Sequence, residues 1–185
     1  MDEDAPESDV QRQPDPRPFA HYGATWLDLV GTSTGRGERV DRLATEQDVQ
    51  QWLVAVDLLP YQDADGIALT GAHDLRAGCS GLARAALASA RPDGGSIRLV
   101  NLALALDEPP ALRAGRTGVT VTPPMTAGSA LARVARQAAE QLTGPEAARL
   151  RPCPDATCDS IYLDGAGGTL GCAAADCALR ERSLP

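Results

Sequence analysis

The stretch RLRPCPDATCDSIYLDGAGGTLGCAAADC, residues 149–177, decides how this chain is read. Four residues separate Cys153 from Cys158, thirteen follow, and four more separate Cys172 from Cys177. Two short cysteine knuckles with such a spacer suit a tetrahedral ion: each loop brings two thiolates, and the spacer folds back as a small β-ribbon. Pro154 and Asp155 suit the first knuckle turn, Gly171 and Asp176 flank the second, and residues 165–168 provide a hairpin tip. The expected ligands are Cys153, Cys158, Cys172 and Cys177, and the expected ion is Zn²⁺. With cysteine at every position no coordination site is left for water or substrate, so the ion's role is structural. Two disulfides are the competing arrangement. A rubredoxin-type iron centre is another, although it generally has two-residue knuckles.

The compartment favours the ion over disulfides. The chain starts Met1-Asp2-Glu3-Asp4, acidic where a secretory signal is basic and then apolar. No segment approaches the ~18 apolar residues of a membrane span; the longest candidate, residues 97–106, is interrupted by Arg98 and Asn101. A soluble cytoplasmic protein, with thiols kept reduced and no membrane partner, is expected.

Working toward the N-terminus, the body reads as α+β and helix-rich, with a few short β-strands. Residues 129–142 carry Leu131, Val134, Ala135, Ala138 and Leu142 at helical spacing, and Gly144 can end that helix. Residues 111–122 read as a hairpin turning at Gly115 to Gly118, with β-branched Val119 to Thr122 as its second strand. Helices are expected over residues 97–106, capped by Ser96, and over 71–89, with Leu75, Cys79, Leu82 and Ala86 inward. Gly78 and Gly81 count against the latter by ~1 kcal/mol each. A further helix over residues 46–59 has Thr45 as cap and Asp48 completing a capping box, with Val49, Trp52, Leu53, Val56 and Leu59 as one stripe and Pro60 as its stop. Residues 22–30 read as a strand, residues 31–37 as a glycine-rich turn, and 38–43 as a second strand. The turn lacks the Gly-Lys-Ser/Thr ending of a phosphate loop.

Residues 1–18 form an acidic tail with a net charge of −4, four prolines and one large aliphatic residue after Met1, a composition too poor to offset its ordering entropy. The expected division is therefore a disordered tail at 1–18, an α+β domain at 19–148 and a knuckle module at 149–185. Of the 185 residues 43% are apolar but only 3% aromatic, so Leu, Val and Ala must build the core. All 17 basic residues are Arg, and the net charge is −8. A nucleic-acid binder generally concentrates basic residues, because counterion release from phosphates drives its affinity.

Two segments together resemble a bacterial family, the ABATE-domain, CGNR-type zinc-finger proteins known as stress-induced transcription regulators. The first is Leu27-Asp28-Leu29-Val30-Gly31-Thr32, similar to the family's Leu-Asp-Phe-Val-Asn-Thr strand, with Trp52-Leu53 on a following helix. The second runs from Arg149 through Cys153 and Cys158, then Tyr162-Leu163-Asp164, to Cys172 and Cys177. The resemblance implies a regulator with a zinc-knuckle output surface. The chain departs from the family where basic residues should lie. Residues 165–171 are uncharged, the Cys-Gly-Asn-Arg motif stands as Cys177-Ala178-Leu179-Arg180, and the basic helix after it is reduced to residues 181–185. Over residues 151–185, Arg151, Arg180 and Arg182 face five acidic groups, and a four-thiolate zinc centre adds a formal −2. Those three arginines are the candidate nucleic-acid contacts, yet a module of this sign is repelled by duplex phosphate.

Catalytic signatures are missing from the sequence. Its two histidines, His21 and His73, fit no Ser-His-Asp or His-Glu-x-x-His pattern, and His73-Asp74 suits a helix start. Cys79 reads as a small buried hydrophobe. Asp28, inside an apolar run, is expected on the solvent face of its strand, the alternative being a buried carboxylate with a partner such as Arg. Three functions remain in competition. One is a regulator contacting DNA. A second is a relative that acts through a protein partner. The third is an accessory protein whose body binds a small-molecule effector or substrate, with Asp28, Tyr22, Arg36 and His73 as the pocket.

Overall fold

The computed structural model of the chain describes residues 19–34, 40–61, 67–165 and 177. The expected tail, Arg36, Cys172, Arg180 and Arg182 lie outside the described residues. Among the described residues there are five α-helices: α1 (Thr25–Val30), α2 (Glu46–Ala55), α3 (Ile67–Leu87), α4 (Gly94–Leu104) and α5 (Ala127–Thr143). Three antiparallel two-stranded sheets accompany them: β1 (Ser33–Thr34) with β2 (Val40–Asp41), β3 (Leu112–Ala114) with β4 (Val119–Val121), and β5 (Leu150–Pro152) with β6 (Ile161–Leu163). A 3-10 turn, Pro145–Arg149, joins α5 to β5. The helix-rich α+β reading holds. No helix among the described residues is long and apolar enough to cross a membrane.

Helix α3 is the hub, packing on α1, α2, α4, α5 and β5. Its buried row, Ala68, Ala72, Leu75, Cys79 and Ala83, follows steps of three and four residues and is mostly alanine, which lets neighbouring backbones come close. The two glycines that weaken its propensity lie where α4 crosses. A Cβ at Gly78 would stand 3.0 Å from Leu99, Val100 and the Ser96 carbonyl, and one at Gly81 only 2.0 Å from Ser96 Oγ. Ala86, expected inward, is exposed, and Ala83 takes the inward place.

Several boundaries move for identifiable reasons. The Thr45–Asp48 capping box forms as expected, with Asp48 N–H donating to Thr45 Oγ1 and Thr45 N–H to Asp48 Oδ2. Helix α2 nevertheless stops at Ala55, before Pro60. Asp57 adopts φ +60°, Asp57 N–H donates to Val54 O, and Leu58 N–H donates to Leu53 O, a Schellman ending with aspartate in the left-handed place. Ser89, at φ +47°, does the same for α3. Helix α4 is capped by Asp93, whose carboxylate accepts from both the amide and the hydroxyl of Ser96, so Ser96 lies inside the helix. Helix α5 begins two residues early because Thr126 and Ser129 cap each other.

The strand expected over residues 22–30 is corrected to a helix. Trp26, Leu27, Asp28, Leu29 and Val30 are all buried, which alternation cannot give. Two glutamines one turn apart on α5 hold this short helix: Gln141 Oε1 accepts from the Trp26 indole at 2.6 Å, and Gln137 Oε1 from the Trp26 amide at 3.3 Å. The core around Trp26, Trp52 and Tyr22 runs without a break into Leu150, Cys153, Ile161, Leu163 and Cys177. Body and cysteine ribbon share one interior.

Candidate metal centre

Cys153 follows β5, Cys158 closes the first knuckle, and Cys177 returns from beyond the ribbon. The knuckle is built by local hydrogen bonds. Asp155 Oδ1 accepts from the amide and hydroxyl of Thr157, an Asx turn, while the Asp155 carbonyl accepts from the Cys158 amide at 2.9 Å. The Cys153 amide donates to the Ser160 carbonyl at 2.9 Å, extending the β5–β6 ladder. Pro154-Asp155 therefore does what its sequence suggests.

The three thiol sulfurs lie within 4.8 Å of one another. Cys153 and Cys177 are buried, their Sγ atoms 3.5 Å apart, and Cys158 is partly exposed. No disulfide joins any of the described cysteines. A 3.5 Å separation is far from the ~2.05 Å of a disulfide and close to the ~3.8 Å edge of a tetrahedron with ~2.3 Å metal–sulfur bonds. Three soft donors converging at that spacing can hold a metal ion. Ser160 stands beside them, its Oγ 3.3 Å from Cys158 Sγ, and was not anticipated. Arg84 of α3 reaches to 3.8 Å from Asp159, next in chain to Cys158. Cys79 stays apart from this chemistry: burial pushes its thiol up to about 12, as befits an inert core cysteine.

The ribbon is tied to the body through Tyr22. Leu163 N–H donates to the Tyr22 carbonyl at 3.0 Å, while Tyr22 N–H donates to Asp28 Oδ1 at 2.6 Å. Asp28 is thus buried, correcting its expected place on a solvent face. Its partners are an amide and His21, whose Nδ1 lies 2.7 Å from Asp28 Oδ2, instead of an arginine. Burial pushes the Asp28 carboxyl above its ordinary range, and the Tyr22 amide and His21 pull partly against it. Gly31 completes the motif. A Cβ there would stand 2.0 Å from Cε2 of the buried Tyr22 ring.

His73 belongs to a second cluster. Its Nε2 donates to the Leu43 carbonyl at 2.7 Å and lies 3.7 Å from Asp41. Arg76 clasps Asp41 with two hydrogen bonds, 2.7 and 2.6 Å, and donates to Thr32 Oγ1. That pairing holds the Asp41 carboxyl below its usual range. Tyr22 and Asp28 therefore meet in an internal brace, and His73 is engaged with Leu43 and Asp41. Arg151 is exposed along β5, and its guanidinium donates to the Ala148 and Leu150 carbonyls. His21, Thr32, Arg76, Gln137 and Gln141 were missed as organising residues. The seven-residue step from His21 to Asp28 and the four-residue step between the glutamines were the available signals.

Residues 23–145 match the model of a protein family, ABATE, described as "Putative stress-induced transcription regulator". The match ends before β5, so the clustered Cys153, Cys158 and Cys177 lie beyond it. No curated protein matches the chain.

Proposed function

The chain belongs to the ABATE family, and from that membership we propose that it is a regulator-type protein whose C-terminal cysteines bind a structural zinc ion and whose influence on transcription passes through a protein partner. The observation that carries this reading is the convergence of Cys153, Cys158 and Cys177 on one point inside the body's own core. Cys172, the fourth ligand proposed from the sequence spacing, lies outside the described residues. Zinc supplies a cross-link there and, with four sulfurs, no Lewis-acid chemistry.

The case against direct DNA contact through the knuckle is electrostatic. Residues 151–185 carry three arginines against five acidic groups, and four thiolates around Zn²⁺ add further negative charge. Arg151, the described candidate among the three, gives its guanidinium hydrogen bonds to backbone carbonyls. The small-molecule reading loses support for a similar reason. Asp28 is committed to Tyr22 and His21, and His73 to Leu43.

The test is metal analysis of the purified chain alongside a low-salt mobility assay on mixed-sequence duplex DNA. The expected result is about one zinc per chain, lost in Cys153→Ser, with no retarded DNA. Protein without metal and with oxidised cysteine pairs would overturn the zinc assignment. DNA binding with a steep salt dependence would overturn the partner reading.

A further inference from the structure

Ser160 touches two of the three converging cysteines. Its carbonyl accepts from the Cys153 amide at 2.9 Å, which carries the β5–β6 pairing one step beyond Pro152 and Ile161. That pairing fixes where the Ser160 side chain begins, and its Oγ stands 3.3 Å from Cys158 Sγ. The residue is 1% exposed. Among the described residues, Cys158 Sγ is the only hydrogen-bonding partner that this hydroxyl meets. A buried hydroxyl costs free energy unless it is bonded, and alanine would fill the place with nothing to satisfy. The knuckle's other hydroxyl, that of Thr157, is given to Asp155 Oδ1 at 2.7 Å.

We propose that Ser160 is a positioning residue of the metal centre, its hydroxyl donating to the Cys158 sulfur when that sulfur holds the ion. The role rests on the metal reading above and goes beyond the ligand set. The direction of the bond follows from counting protons. A thiol can donate to Ser160 or accept from it, whereas a metal-bound thiolate has no proton and only accepts. The hydroxyl has one proton, and the sulfur is the acceptor within reach. Cys158 is also the ligand that most needs such a donor. Cys153 and Cys177 are buried, while Cys158 is partly exposed and its charge is the least sheltered from competing chelators. A donor held by the same ladder that carries Cys153 spreads that charge and keeps the sulfur turned toward the ion. Groups of this kind around a metal site typically contribute about 10–100-fold in affinity.

The test compares the full wild-type chain with Ser160→Ala and Ser160→Thr, using zinc for affinity against a competing chelator and cobalt(II) for its thiolate-to-metal charge-transfer band. A hydrogen bond lowers the energy of the sulfur lone pairs, so its loss brings the band to longer wavelength. Ser160→Ala is expected to bind zinc about tenfold more weakly and to show that displaced band. Ser160→Thr keeps the hydroxyl and is expected to keep the wild-type band. Alanine removes one oxygen and adds no bulk, and an unchanged melting temperature of the zinc-loaded variant certifies the fold. An alanine variant with unaltered affinity and band overturns the proposal while leaving the metal centre standing. Weaker binding with an unmoved band overturns it too, since the hydroxyl would then serve packing alone, as does a threonine variant displaced as far as alanine. A wild-type chain that takes up neither metal overturns the metal reading and this role with it.

Discussion

Replacing Asp28 by alanine removes the acceptor for a buried amide. Tyr22 N–H donates to Asp28 Oδ1 at 2.6 Å, and Tyr22 is 2% exposed, so water does not readily take over. A buried donor left without a partner costs ~1–3 kcal/mol. The bond to His21 adds little, because that ring is largely exposed. Relief of the carboxylate's own burial offsets part of the loss. A net destabilisation of about 1–3 kcal/mol follows, a sizeable share of a typical 5–15 kcal/mol stability. For a chain of this length each kcal/mol moves the midpoint by about 2–4 °C, so the thermal midpoint should fall by about 2–12 °C. Asp28→Asn keeps an oxygen for the Tyr22 amide and should cost under about 1 kcal/mol.

The two variants also separate hydrogen bonding from charge. Burial raises the folded-state carboxyl above its ordinary 3.8, so the folded chain holds this proton more tightly than the unfolded one. The stability so gained is complete below the ordinary value and is lost as pH rises through the elevated one. Asp28→Asn has no such proton, so its urea midpoint should improve relative to wild type as pH climbs through that window. An alanine variant as stable as wild type would refute the account of the Tyr22 amide. An asparagine variant whose relative stability falls with rising pH would refute the account of the charge.

Gly31→Ala sets a methyl 2.0 Å from the buried Tyr22 ring, so the ring must move, at a cost of about 1–3 kcal/mol visible as a lower urea midpoint with an unchanged slope. Asp41 behaves opposite to Asp28. Arg76 depresses its folded-state carboxyl, so its contribution is present above the ordinary 3.8 and disappears as pH falls through the depressed value. Asp41→Asn should lose at most about 1 kcal/mol at neutral pH, the site being partly exposed, and match wild type in strong acid; a penalty persisting there would count against the ion pair.

The parts legible in the sequence are those governed by local rules. The Thr45–Asp48 capping box, the 111–122 hairpin and the four central helices need only spacing, caps and turn residues. The cysteine knuckle is local too, since Pro154-Asp155 and Thr157 fold it within six residues. Helix α1 was misread because its identity is tertiary. Six residues rich in Trp, Leu and Val have strand-like propensity, and what makes them helical is burial on every side with Gln137 and Gln141 more than a hundred positions away. A separation of 35 residues likewise hid Arg76 as the partner of Asp41. The glycines of α3 misled in the other direction: a single-helix penalty is outweighed where α4 needs the space.

Tyr22 explains why the N-terminal motif and the terminal cysteines belong to one structure. Its amide is held by Asp28 of α1, its ring lies on Gly31 at the end of α1, and its carbonyl receives the amide of Leu163 in β6. Strands of three residues, such as β5 and β6, cannot persist alone. They are held by the body, where Leu150, Ile161 and Leu163 are buried, and end at the convergence of Cys153, Cys158 and Cys177, which can hold a metal ion. Opening the cysteine centre would therefore expose three core side chains and strip an acceptor's partner from the residue that Asp28 positions. Hydrogen bonds thus join the ribbon to Tyr22, Tyr22 to α1, and α1 through Trp26 to α5.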